Sequence, residues 1–261
     1  MEIRLDGRSA LITGGSKGLG LAMATTFAQS GADVAIIARD QQALEAARAA
    51  IAASAEVKVR AYSCDVRQPD QIRRTFQSVI DDLGKVDILV NNAGTSRAGR
   101  FEDASDEVWQ EDLDLKLFAA IRLTRLAFPA MKERRWGRII NVLNIGAKAP
   151  RPNSAPTAVS RAAGLALTKI LSGEGALHNV LVNALLVGLI KADQHIQHFK
   201  QNNAGAKSMD EYYANLGSRV PLGRVGEAQE FANIACFLAS DAASYITGTA
   251  INVDGGTSPV V

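Results

Sequence analysis

Gly14, Gly18 and Gly20, in the run Thr13-Gly14-Gly15-Ser16-Lys17-Gly18-Leu19-Gly20, are spaced to bring bare backbone against a phosphate. Glycine permits the tight turn and removes the side chain that would hold an anion away. The first amides of a following helix then face the negative charge. The run follows the apolar stretch Ala10–Thr13 and opens a helical pattern, the setting in which such glycines read as a dinucleotide loop, with Ser16, Lys17 and Leu19 between them. The next apolar stretch ends in Ala38-Arg39, where the adenosine ribose of a dinucleotide should lie. An acid there would accept the ribose hydroxyls. Arg39 and Lys17 suit a 2′-phosphate instead, so NADP(H) is expected over NAD(H); the alternative is that Arg39 is a solvated surface charge.

Short β-branched runs alternate with longer helical patterns along the whole chain. Strands are expected at Ala10–Thr13, Val34–Ala38, Val57–Ser63, Val86–Asn91, Arg138–Leu143, Val180–Leu185 and Thr249–Val253. Helices are expected at Gly18–Ser30, Gln41–Ala53, Asp70–Leu83, Ser105–Arg134, Ser154–Leu177 and Glu227–Leu238. Parallel neighbours need right-handed crossovers, so this alternation predicts an α/β fold: one doubly wound, Rossmann-like domain with a seven-stranded parallel sheet. Nothing in the composition divides residues 1–261 into further domains. Residues 191–219 break the pattern. They are polar, carry His195, His198 and the pair Tyr212-Tyr213, and follow a strand end, so they read as a lid over a substrate. A plain surface insertion is the other reading.

The balance of 29 Lys and Arg against 27 Asp and Glu leaves no basic excess for nucleic acid. The most apolar segment, Val180 to Ile190, is shorter than the ~20 residues that span a bilayer. The N-terminus has no signal-peptide pattern, and Cys64 and Cys236 follow no metal or redox spacing, so a cytoplasmic protein with reduced thiols and no bound metal is expected.

With these elements in place, the chain resembles the short-chain dehydrogenase/reductase family over nearly its whole length. The resemblance rests on Thr13–Gly20, Cys64-Asp65-Val66, Asn91-Asn92-Ala93-Gly94, Gly137-Arg138-Ile139-Ile140-Asn141-Val142, Val182-Asn183-Ala184 before Gly188, and Ile246-Thr247-Gly248 leading into Val253-Asp254-Gly255-Gly256. It implies that Asp65 and Val66 flank the adenine and that Asn92, Ala93 and Gly94 line the cofactor near its ribose. It also implies a small-molecule substrate and a homodimer or homotetramer built through the helices that begin near Ser105 and Ser154.

The family's four catalytic positions usually hold Asn, Ser, Tyr and Lys. Here the resemblance assigns them to Asp114, Asn144, Thr157 and Arg161, and the turn that approaches nicotinamide reads Val187-Gly188. A threonine hydroxyl is a far weaker acid than a phenol, and a positioned acid is worth ~10²–10⁴-fold in rate. Arg161 keeps a charge that can bind the nicotinamide ribose, yet arginine does not release its proton. Asn144 can donate to a carbonyl. Asp114, if it faced Arg161, would form a structural ion pair. Lys148, Arg151, Lys191, Asp193, His195 and His198 lie near the expected site mouth, with His195 a candidate substitute acid. Three functions remain open: an NADP(H)-dependent oxidoreductase acting on an activated carbonyl, alkene, imine or quinone; a nucleotide-binding pseudoenzyme serving as sensor or partner subunit; and a non-redox enzyme on the same scaffold.

Overall fold

A computed structural model describes residues 3–192, 199 and 208–261. Seven parallel strands, β1 (Ser9–Thr13), β2 (Asp33–Ala38), β3 (Val59–Ser63), β4 (Ile88–Asn91), β5 (Gly137–Asn144), β6 (Val180–Val187) and β7 (Ala250–Val253), form one sheet in the order β3-β2-β1-β4-β5-β6-β7. The central strands are mostly apolar because both faces are covered, whereas the edge strand β3 carries exposed Arg60 and Ser63. On β1, Ala10 and Ile12 join one core with Val34, Ile36, Ile88 and Val90, while Leu11 joins the opposite core with Ala35, Ile37 and Leu89. Successive side chains of one strand therefore serve two layers of helices.

One layer holds α1 (Gly18–Gln29) and α2 (Gln41–Ala52), where Phe27 and Ile51 are fully buried. The other holds α3 (Pro69–Leu83), which starts at a proline and stops at Gly84 with φ 77°. After β4 come α4 (Asp106–Leu113), a π turn (Asp114–Phe118) and α5 (Ala119–Glu133). The single helix expected over Ser105–Arg134 is thus interrupted, and the Ala119 amide donates to the Asp114 carbonyl five residues back. α6 (Thr157–Ala176) follows β5. Within the expected lid, α7 (Met209–Gly217) is a helix that polar composition concealed, with Tyr212 buried against Phe199. α8 (Ala228–Ala239) closes against α1.

Strand order reverses between β1 and β4, which opens a crevice beyond their carboxyl ends. β5 and β6 run further than expected: pairing continues through Leu143↔Leu186 to Asn144↔Val187. That extension carries Asn144 and Gly188 to the crevice. No helix among the described residues is long and apolar enough to cross a membrane.

Candidate active site

The Thr13 side chain organises the nucleotide end. Its hydroxyl donates to the Val90 carbonyl at 3.2 Å and accepts the Asn92 and Ala93 amides, both at 2.9 Å. Asn92 Nδ2 returns a bond to the Thr13 carbonyl at 2.8 Å. β1 and β4 are thereby tied at the point where the chain leaves the sheet. The loop after Thr13 fits closely: a Cβ on Gly20 would lie 2.1 Å from the Gly14 oxygen. Gly18 is different, with φ +52° and nothing within 4 Å of where a Cβ would stand. One glycine is needed for close packing and the other for its backbone conformation and open space in front of it.

In front of this loop lies a cavity of about 930 Å³. Gly14, Ser16, Lys17, Gly18, Leu19 and Gly20 wall one end of it. Asn92, Ala93 and Gly94 line its middle, and Asn144, Thr157, Arg161 and Gly188 line the far end. Three expected cofactor residues, Arg39, Asp65 and Val66, stand outside the cavity. Arg39 is exposed and Val66 is buried. Asp65 is held by the Arg67 guanidinium, which keeps its carboxyl below the usual carboxylate range, with the charge of Arg39 adding to the effect.

The far end carries a buried charged network. Lys116 on the π turn donates to the carboxylate of Asp112 on α4, and both side chains are fully buried. The same ammonium donates to Thr157 Oγ1 at 2.9 Å, and the Arg97 amide donates to that oxygen at 3.0 Å. Ser160 donates to the other Asp112 oxygen at 2.6 Å. Burial lowers the Lys116 pKa to about 8, with Asp112 opposing and the Arg161 and Arg97 charges assisting the fall. Arg161 donates to the Val142 carbonyl at 2.5 Å, and a Cβ on Gly94 would come within 2.6 Å of its Nη2. Only a bare backbone at Gly94 leaves that guanidinium room. Burial lowers the Arg161 pKa to about 10, and its Nε has no hydrogen-bond partner among the described residues. Asn144 Oδ1 is likewise buried without a partner.

Asp114 does not join this group. It pairs with Arg122 at 3.0 Å and accepts Gln110 Nε2 at 2.9 Å. The ion pair that Asp114 would form if it faced Arg161 is not made, because its partner is Arg122. The resemblance placed Asp114 at a catalytic position, but the π turn there turns Lys116 inward instead. Lys116 is the residue that this segment delivers to Thr157. Sequence reading passed it over, although Asp112 and Lys116 stand four apart, the spacing of an ion pair on one helical face. Of the other candidate donors, Lys148 is tied to the Ala250 carbonyl at 2.6 Å and Lys191 to Glu227 at 2.5 Å, whereas Arg151 lines the cavity. Asp193, His195 and His198 lie outside the described residues.

Comparison with known proteins accords with this geometry. Residues 14–258 match a family described as enoyl-(acyl carrier protein) reductase. The chain is 33% identical to a 3-oxoacyl-[acyl-carrier-protein] reductase of Aquifex aeolicus over 98% of its own length and 99% of the relative's. The chain belongs to the short-chain dehydrogenase/reductase family. Among solved members of that family, L-sorbose reductase from Gluconobacter frateurii, complexed with NADPH and L-sorbose, superposes with a TM-score of 0.95 at 33% identity, covering 100% of both chains. An NADPH-bound short-chain oxidoreductase from Pseudomonas aeruginosa PAO1, described as containing an atypical catalytic center, superposes with a TM-score of 0.91 at 34% identity over 99% of both chains. The seven-stranded sheet and its flanking helices are therefore those of a short-chain dehydrogenase/reductase.

Proposed function

We propose that the protein is an NADP(H)-dependent oxidoreductase that reduces a carbonyl or a similarly polarised alkene, imine or quinone, with its proton supply relocated to Lys116. One observation carries this reading: a single cavity joins the glycine loop to Thr157, and a buried ammonium backs the Thr157 hydroxyl.

The residues fit the cofactor. The loop from Gly14 to Gly20 leaves backbone open to a pyrophosphate, Arg39 and Lys17 suit the 2′-phosphate, and Asp65 and Val66 suit the adenine. Asn92, Ala93 and Gly94 line its path, Gly188 bounds the nicotinamide end, and the unpartnered Arg161 Nε suits a ribose hydroxyl. Bound NADPH would supply the hydride. Thr157 Oγ1 already accepts two hydrogen bonds, so its own proton is directed to Asp112 Oδ1, 3.5 Å away, or to an acceptor in the cavity. As a substrate C=O gains hydrogen at carbon, its oxygen takes the Thr157 proton and Thr157 takes one from Lys116. Lys116 is left neutral beside Asp112 and regains a proton before the next cycle. Asn144 holds the substrate oxygen, and α7, whose Leu216 is already in the cavity wall, forms the described part of the lid. Exposed Phe118, Val159 and Ile170 support a homodimer or homotetramer through α5 and α6.

NADPH fluorescence titration followed by absorbance screening against ketones, enones, imines and quinones tests this reading. We expect Kd to be lower for NADPH than for NADH. Reduction should be flat below pH 8 and fall tenfold per unit above it as Lys116 loses its proton. Lys116→Arg, which keeps the charge but does not release its proton, should lower kcat by ~10²-fold or more, and so should Thr157→Val. Binding without turnover would favour the pseudoenzyme reading. Failure to bind either nucleotide would defeat both.

A further inference from the structure

The cavity contains charge that the proposed chemistry does not use. Arg151, from the segment after β5, and Arg219, just beyond α7, both line it. Neither guanidinium has a hydrogen-bond or ion-pair partner among the described residues. Among the exposed arginines, Arg48, Arg73, Arg100 and Arg224 each pair with a nearby carboxylate, whereas Arg39, Arg74 and Arg125, like Arg151 and Arg219, have no such partner among the described residues. Only Arg151 and Arg219 of these five line the cavity. No Asp or Glu appears anywhere in the described cavity wall. The acids close to it are already committed. Asp112 serves Lys116 and Ser160, Asp254 accepts the Gly256 and Ser258 amides, and Glu227 holds Lys191.

Both arginines are held in place by their backbones. The Arg219 amide donates to the Leu216 carbonyl at 3.2 Å. Next to it, Gly217 packs so closely on Arg224 that a Cβ would lie 2.8 Å from the Arg224 Cα. After Arg151, Ser154 donates its hydroxyl to the Arg151 carbonyl at 2.5 Å, shaping the turn into α6. Lys148, three residues earlier, is spent on the Ala250 carbonyl and Asn252. The cationic lining therefore comes from two separate segments of the chain, one after β5 and one after α7.

A cleft lined by one sign of charge concentrates ligands of the opposite sign, and guanidinium groups match planar carboxylate and tetrahedral phosphoryl oxygens. We infer that Arg151 and Arg219 form a subsite for an anionic group, a carboxylate or a phosphoryl ester, carried by the substrate at the end remote from its reducible bond. The inference rests on the oxidoreductase reading for the reducible bond, but the anion subsite itself is a matter of binding.

Matched pairs test it: levulinate against methyl levulinate, and dihydroxyacetone phosphate against dihydroxyacetone. Each is titrated into the NADPH complex by fluorescence, and NADPH loss is followed at the same time. At least one charged member should bind tenfold or more tighter than its neutral partner, with the advantage shrinking as salt is raised. The pair showing the advantage tells carboxylate from phosphoryl recognition. Arg151→Gln with Arg219→Gln should abolish the advantage while Kd for NADPH stays within twofold. A charged ligand that binds without NADPH loss leaves the subsite standing and counts against the oxidoreductase reading. Turnover with neutral members equal to or better than charged ones overturns the subsite and leaves that reading intact. The subsite is also overturned if no charged member binds, if the advantage survives in the double variant, or if that variant instead loses NADPH.

Discussion

The two ends of the cavity are built on different principles. At the nucleotide end the backbone does the work: bare main chain lines the cavity at Gly14, Gly18 and Gly20, and one threonine hydroxyl ties β1 to β4. At the far end side chains do it, through a buried Lys116–Asp112 pair whose second contacts are Thr157 and Ser160. A backbone site needs particular small residues at particular positions and little else. A charged site needs every member of its network, because an ion left alone in a buried place is costly. The contrast predicts different sensitivities to substitution.

The largest effect should come from breaking the charged end. Lys116→Met leaves Asp112 buried with no cation, and chemical denaturation should report a loss of about 3–5 kcal/mol. Adding Asp112→Asn should recover much of that stability while leaving reduction impaired. If the single variant is as stable as the parent, the network is not what holds this end together.

Gly20→Ala strikes the backbone end. A Cβ 2.1 Å from the Gly14 oxygen forces the loop open, and NADPH should bind at least ~100-fold more weakly by titration, about 3 kcal/mol. Gly18→Ala makes the control sharper, because it meets nothing and carries only left-handed strain, of order 1 kcal/mol. Equal losses in the two variants would mean that crowding at Gly20 is not the constraint.

Arg39→Ala should have the smallest effect. An exposed guanidinium paired with a phosphate is worth on the order of 1 kcal/mol, so NADPH affinity should fall roughly tenfold while NADH affinity holds. An unchanged preference would return Arg39 to the role of a solvated surface charge.

Much of the molecule was legible in the residues. The strand–glycine–helix order at Thr13–Gly20 and the alternation of apolar runs with helical patterns foretold the sheet, because covering both faces demands apolar strands and parallel pairing demands crossover helices. The errors cluster where local pattern loses authority. Ser105–Arg134 read as one helix because its propensities are continuous, but a π turn interrupts it at Asp114–Phe118. The resemblance put Asp114 at a catalytic position, while the residue of this segment that turns in to Thr157 is Lys116. The ends of β5 and β6 were placed short because Asn144 and Val187 extend the ladder through partners on neighbouring strands, Asn144 with Val187 and Val187 also with Val253. α7 was missed because it is polar on the side that faces water.

Residue types and their order were enough to name the layers, the phosphate-binding loop and the absence of a tyrosine–lysine pair, since each depends on neighbours close along the chain. Which charge would stand beside Thr157 depended on the way α4, the π turn and α6 pack, across separations of 41 and 45 residues. The same packing put Arg151 and Arg219 into the lining of one cavity that holds no acid among its described residues. Burial and distance set the strength of a charge, and both are properties of the assembled fold rather than of the order in which residues are joined.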